Sequence, residues 1–151
     1  MTQEDKELLL KDLCGRLPYR VKVALGDKPM YVWSLESVSV DKDGVIDVYI
    51  ESGNFPLEAV KPYLRPLKSI TEEEYKELNE VYNNGESHHV VLPQNDEQHH
   101  ATLCMISNGT IDDWLNSHHF DYRGLIEKGL ALEATEGIYK IGKQYTCCPQ
   151  K

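Results

Sequence analysis

The sequence predicts an α+β protein: a small bent antiparallel sheet or SH3-like barrel, with an N-terminal helix, a middle acidic helix, and a C-terminal helical corner closed by a hairpin. Three observations predict it. Thr2 with Asp5, Thr71 with Glu74, and Thr110 with Asp113 each set a hydroxyl three residues ahead of a carboxylate, the spacing of a helix capping box. Between the first two boxes the apolar period is two, at Val21, Val23 and Leu25 and again at Ile46, Val48 and Ile50. Within the run Met30–Val40 the alternation changes parity, from Tyr31, Trp33 and Leu35 to Val38 and Val40, which places a bulge or bend near Glu36 and Ser37.

The first helix spans about residues 3–15, with Leu9, Leu10, Leu13 and Leu17 on one face and a stop at Pro18. Tyr19–Leu25 is a half-buried strand, and Gly26, Asp27, Lys28 and Pro29 make the turn after it. Asp41–Gly44 turns the chain into the strand 45–51. Pro56–Leu67 is punctuated by proline, so Tyr63–Arg65 is expected to pair as an edge strand. A second helix starts at Thr71, stapled by Ile70 and Tyr75, with Tyr75, Leu78 and Tyr82 inward, Glu72, Glu73, Glu77 and Glu80 outward, and Asn83, Asn84 and Gly85 at its end.

Residues 86–100 carry no clear pattern apart from the apolar run Val90–Leu92, and 101–106 reads as a strand. From Ile111 a short helix buries Ile111, Trp114, Leu115 and His118. Asp121 then reads as the N-cap of a second short helix, with Phe120 stapled to Leu125, and with Gly129 and Leu130 closing a Schellman motif. Ile138–Ile141 and Gln144–Cys147 would pair as a final hairpin. At 151 residues the chain is the size of one domain, with possible lobes 1–68 and 69–151.

The charge disfavours one broad class of partner, although Arg16, Arg20, Lys22, Lys61, Arg65 and Lys68 would form a local basic patch if the fold gathered them. Acids outnumber bases 25 to 16, a net charge of −9, whereas a nucleic-acid backbone needs a basic face. No apolar run nears the ~20 residues of a membrane span, and the first fifteen residues lack the apolar stretch of a signal peptide. A cytoplasmic protein is expected. Cys14, Cys104, Cys147 and Cys148 follow no disulfide or CxxC spacing and read as reduced thiols.

Three blocks carry a resemblance: DKELLLKDLCGRLPYRVKV, VKPYLRPLKSITEEE and HHFDYRGLIEKGLALEA. Together they resemble a recurrent family of short proteins from gut bacteria and their phages that has no assigned activity. The resemblance implies a phage or mobile-element setting and no particular chemistry. Residues 86–104 and the tail after Gly142 lie outside it.

Few residues ask for chemistry. The pairs His88–His89, His99–His100 and His118–His119 contain metal-binding side chains, but neighbours diverge by about 100° on a helix and face opposite sides of a strand. A metal would therefore need one member of each pair, with His89, His99 and His119 the weak candidates. Asp41, Asp43 and Asp47 around Gly44 echo a calcium loop, but a hairpin turn explains them. Serine-nucleophile and phosphate-loop motifs are absent.

Candidate binding residues remain. Arg123 sits in a helix first turn where an acid is preferred, and His119 has no folding role; Tyr122 and Trp33 supply the aromatic surface that binding sites favour. The expected function is a non-catalytic accessory protein of a phage or mobile element that binds a host or viral protein, itself a possible homo-oligomer, with no cofactor. Two alternatives are a nucleotide-signal binder using arginine and aromatic rings, and a metal-dependent enzyme using the histidines.

Overall fold

The computed structural model describes residues 1–26, 31–83, 109–135 and 137–139. Helix α1, Gln3–Arg16, opens with the expected capping box: Asp5 N–H donates to the Thr2 hydroxyl at 3.0 Å and Thr2 N–H to the Asp5 carboxylate at 3.3 Å. Pro18 turns it into a 3-10 turn, Leu17–Tyr19, which ends on Arg20 at φ 52°. That left-handed residue swings the chain into the sheet.

Strands β1 (Lys22–Leu25), β2 (Trp33–Val40), β3 (Ile46–Ile50), β4 (Gly53–Pro56) and β5 (Val60–Pro66) pair antiparallel in the order β4-β3-β2-β1-β5. The bulge falls where the parity changes. Leu35 opposes Ile50, but the next partner of Tyr49 is Ser37, so Glu36 is the extra residue. The aspartates after β2 form the hairpin turn, since Asp41 accepts from the N–H groups of Asp43 and Val45 at 2.8 and 2.9 Å.

Two expectations for the sheet are corrected. It is mixed, because β6 (Phe120–Asp121) and β7 (Leu132–Glu133) both run parallel to β5. Its ladder is open among the described residues, so a bent sheet fits better than a closed barrel. Moreover, β5 is the hub of the sheet, with three partner strands, and Tyr63, Leu64 and Arg65 are buried. The proline that argued for an edge is accommodated by register. Gly26 N–H donates to Ala59 C=O, so bonded pairs alternate away from it through Ala24 and Lys61, and Pro62 opposite Val23 falls where the ladder needs no N–H.

Helix α2, Glu72–Asn83, keeps its capping box, with Glu74 N–H on the Thr71 hydroxyl at 3.1 Å and Thr71 N–H on the Glu74 carboxylate at 3.0 Å. Helix α3, Gly109–Ser117, starts two residues before Ile111 and buries Ile111, Trp114 and Leu115 as expected, while His118 falls just past its end and stays partly exposed. No second helix follows Asp121. Gly124 at φ 76° breaks helical backbone there, and the Asp121 carboxylate instead accepts from Leu125 and Ile126 N–H, both at 2.9 Å, across a turn. The Schellman bonds do form, Leu130 N–H to Leu125 C=O at 2.9 Å and Gly129 N–H to Ile126 C=O at 3.1 Å.

The interior has two cores. One is aliphatic, under the sheet, and takes Leu9 and Leu13 of α1, Val21, Val23, Leu35, Val48, Leu57 and Leu64, with Leu125, Leu130 and Ala131 from late in the chain. The other gathers Leu67, Tyr75, Leu78, Ile111, Trp114, Leu115, Phe120 and Tyr122. Phe120 and Leu125 therefore enter different cores and do not staple. The strand expected at 101–106, most of the final hairpin, the turn Asp27–Pro29, the stop at Asn84–Gly85, and Cys104, Cys147 and Cys148 lie outside the described residues, as does the Tyr82 side chain.

Candidate functional site

The two cores meet along a seam of charge. Asp12 and Arg16 stand one turn apart on α1, both wholly buried, and Arg16 Nε donates to the Asp12 carboxylate at 2.7 Å. The other oxygen of Asp12 accepts from Arg123 Nη1 at 2.9 Å, and Arg16 Nη2 donates to Phe120 C=O at 2.7 Å. Arg123 lies 4.6 Å over the Tyr122 ring, whose hydroxyl donates to Asn116 at 3.1 Å. Burial pushes the Tyr122 phenol above its ordinary pKa, the nearby charges having smaller and opposing effects. Arg123 and Tyr122, expected at a binding surface, are thus engaged inside the fold.

A second buried arginine repeats the arrangement on β5. Arg65 forms a two-pronged pair with Glu74, both contacts 2.8 Å, and its guanidinium covers the Phe120 ring at 4.2 Å. Burial opposes ionisation of Glu74. The Arg65 fork, the Thr71 N–H and neighbouring positive charge outweigh it and hold the carboxyl below its usual range. On the same side His118 stacks on Trp114 at 4.0 Å, and Trp114 Nε1 donates to Glu77 at 2.6 Å.

His119 adopts φ 63°, and its C=O accepts from Arg65 N–H at 2.8 Å. Its ring stacks on Tyr139, centroids 3.7 Å apart and planes 11° apart. Burial first, then the positive charge of Arg16, Arg65, His118 and Lys22, lowers its pKa to about 3, so the ring is neutral at ordinary pH. The Tyr139 hydroxyl accepts from Lys22 N–H at 2.7 Å and donates to Tyr63 C=O at 2.9 Å. The register puts Lys22 opposite Tyr63, the next bonded pair of the β1–β5 ladder, so one hydroxyl stands in for a rung. Burial raises the Tyr139 pKa well above that of a free phenol.

The outer surface holds a different kind of site. An open cleft of about 420 Å³ is lined by Leu17, Pro18, Arg20, Leu35, Glu36 and Glu51, with Ser34 at its side. Glu51 accepts from Ser34 N–H at 2.7 Å, and Lys22 Nζ donates to the Ser34 hydroxyl at 2.7 Å. Trp33, next along β2, is half-buried against the aliphatic core and 5.9 Å from the ring of Tyr31, which is 63% exposed. Of the four binding candidates Tyr122 is buried, while Trp33, His119 and Arg123 are each partly exposed.

Sequence reasoning passed over Arg20, Glu36 and Glu51. The available signals were the parity switch, which marks Glu36, and the break at Pro18, which marks the turn ahead of Arg20. For metal, no group of three or more ligating side chains occurs among the described residues, while His89 and His99 lie outside them. Among the described residues no helix is long and apolar enough to cross a membrane. No known protein family, curated protein or solved structure matches the chain.

Proposed function

We propose that this protein is a non-catalytic binding protein that holds a basic, partly apolar segment of a protein partner in the cleft between the Leu17–Tyr19 turn and the bulge of β2. The observation that carries this is the convergence of two backbone irregularities on one cleft. Arg20 is left-handed without being glycine, and Glu36 is the extra residue of the bulge. Conformations of the first kind cost about 1–3 kcal/mol and cluster at binding sites, and bulges re-aim side chains there.

The lining selects the guest. Leu17, Pro18 and Leu35 give the smaller, apolar part of a mostly polar lining, and the rim carries one guanidinium against two carboxylates. Such a rim attracts lysine or arginine and repels phosphate, and the overall charge of −9 steers the same kind of partner. A nucleotide fits this rim poorly, and Arg123 is already paired with Asp12. The resemblance of the three sequence blocks supports a phage or mobile-element setting, with a host or viral protein as the partner.

Fluorescence anisotropy against matched basic-apolar and acidic-apolar peptides tests the proposal. The basic set binds at least tenfold more tightly, and the double charge reversal Glu36→Lys, Glu51→Lys removes that preference while the melting temperature holds. Equal binding of both sets, or an unchanged preference in the reversed protein, refutes it. Self-association seen by sedimentation and abolished by the same reversal would make a second copy the occupant instead.

A further inference from the structure

Two arginines and one histidine leave buried polar atoms without hydrogen-bond partners: Arg16 Nη1, Arg65 Nε and His119 Nδ1. All three side chains crowd the His119–Phe120 dipeptide. Arg16 holds the Phe120 C=O, while Arg65 donates its backbone N–H to the His119 C=O and covers the Phe120 ring. We propose that a small anion of halide size binds at this place, with Arg16 Nη1 and His119 Nδ1 as its donors and Arg65 adding positive field.

Donor count favours an anion: the carboxylates of Asp12 and Glu74 are taken by Arg16, Arg123 and Arg65, and that of Asp121 by the N–H groups of Leu125 and Ile126, so none is left for Arg16 Nη1 or His119 Nδ1. Arg16, Arg65 and Lys22 all lay positive charge on His119. An unmatched donor on a buried guanidinium is costly, and an anion satisfies several N–H groups at once. A water molecule accepts two hydrogen bonds at most and must place its own two hydrogens, among groups that mostly donate. The neutral His119 ring then carries its proton on Nδ1.

Crystals of the full chain soaked in sodium bromide test the site directly. An anomalous peak in hydrogen-bonding contact with Arg16 Nη1 and His119 Nδ1 is the expected result. Water density at that place, with bromide found only on the surface, overturns the proposal. In solution, thermal unfolding in sodium bromide is compared with sodium gluconate at equal ionic strength. Above the dissociation constant, each tenfold rise in bromide lifts the midpoint by about 3–6 °C. His119→Phe keeps a ring against Tyr139, removes the donor and flattens that dependence. Identical midpoints in bromide and gluconate for the wild-type chain count against the site even where the variant does not fold.

Discussion

The core under the sheet and the core at the helical corner exclude water by different means. The first is almost wholly aliphatic, from Leu9 and Leu13 to Val48 and Leu64, and any side chain of the right volume satisfies it. The second packs Tyr75, Trp114, Phe120 and Tyr122 around Arg65 and Glu74, and the Asp12 seam closes its side. There both carboxylates, Asp12 and Glu74, are held by named arginine partners. An aliphatic core fixes that the chain collapses; the charged one fixes which segments meet, because an unmatched ion is penalised far more than a small void.

This contrast can be broken most sharply at Asp12. Asp12→Ala leaves Arg16 and Arg123 without their shared carboxylate and lowers unfolding stability by about 3–5 kcal/mol in urea titration. A loss no larger than that of an exposed ion pair would show that the seam organises nothing. Leu13→Ala, one residue away in the aliphatic core, costs about 3 kcal/mol through lost burial and a cavity. Restoring bulk with methionine at position 13 recovers most of it, whereas asparagine at position 12, though nearly isosteric, does not restore the charge.

Tyr139→Phe keeps the ring on His119 but removes the bridging hydroxyl. Lys22 N–H and Tyr63 C=O then lose their partner, at a cost of about 2 kcal/mol, with faster amide exchange at Lys22 as the local readout. Acidification has the smallest effect. His119 has a folded pKa of about 3 against 6.5 when free, so the unfolded chain takes up the proton first. Its stabilisation is complete above pH 6.5 and is lost as pH falls towards 3. At pH 5.5, above the range where Glu74 protonates, the loss is about 1 kcal/mol, and His119→Phe removes it.

The sheet was legible because strand alternation and the bulge at Glu36 are local signals, and both helix caps at Thr2 and Thr71 are read within four residues. The charged seam was not, since Asp12 and Arg123 are 111 residues apart and nothing near Arg123 announces its partner. Arg123 looked free for that reason alone. Asp121 was recognised as a cap, but Gly124 turned the capped segment into a turn instead of a helix. Pro62 pointed to an edge because the register that tolerates it is a property of the pair, not of the strand.

The rung supplied by Tyr139 also sets a clock on synthesis. Tyr63, the later of the two backbone partners, leaves the ribosome 76 residues ahead of the side chain that completes their pairing. At about 5–20 residues per second, β1 and β5 therefore wait roughly 4–15 seconds with that step of the ladder open. Through that interval the nascent sheet keeps two backbone groups hydrated, and closure of that rung is timed by the arrival of one tyrosine.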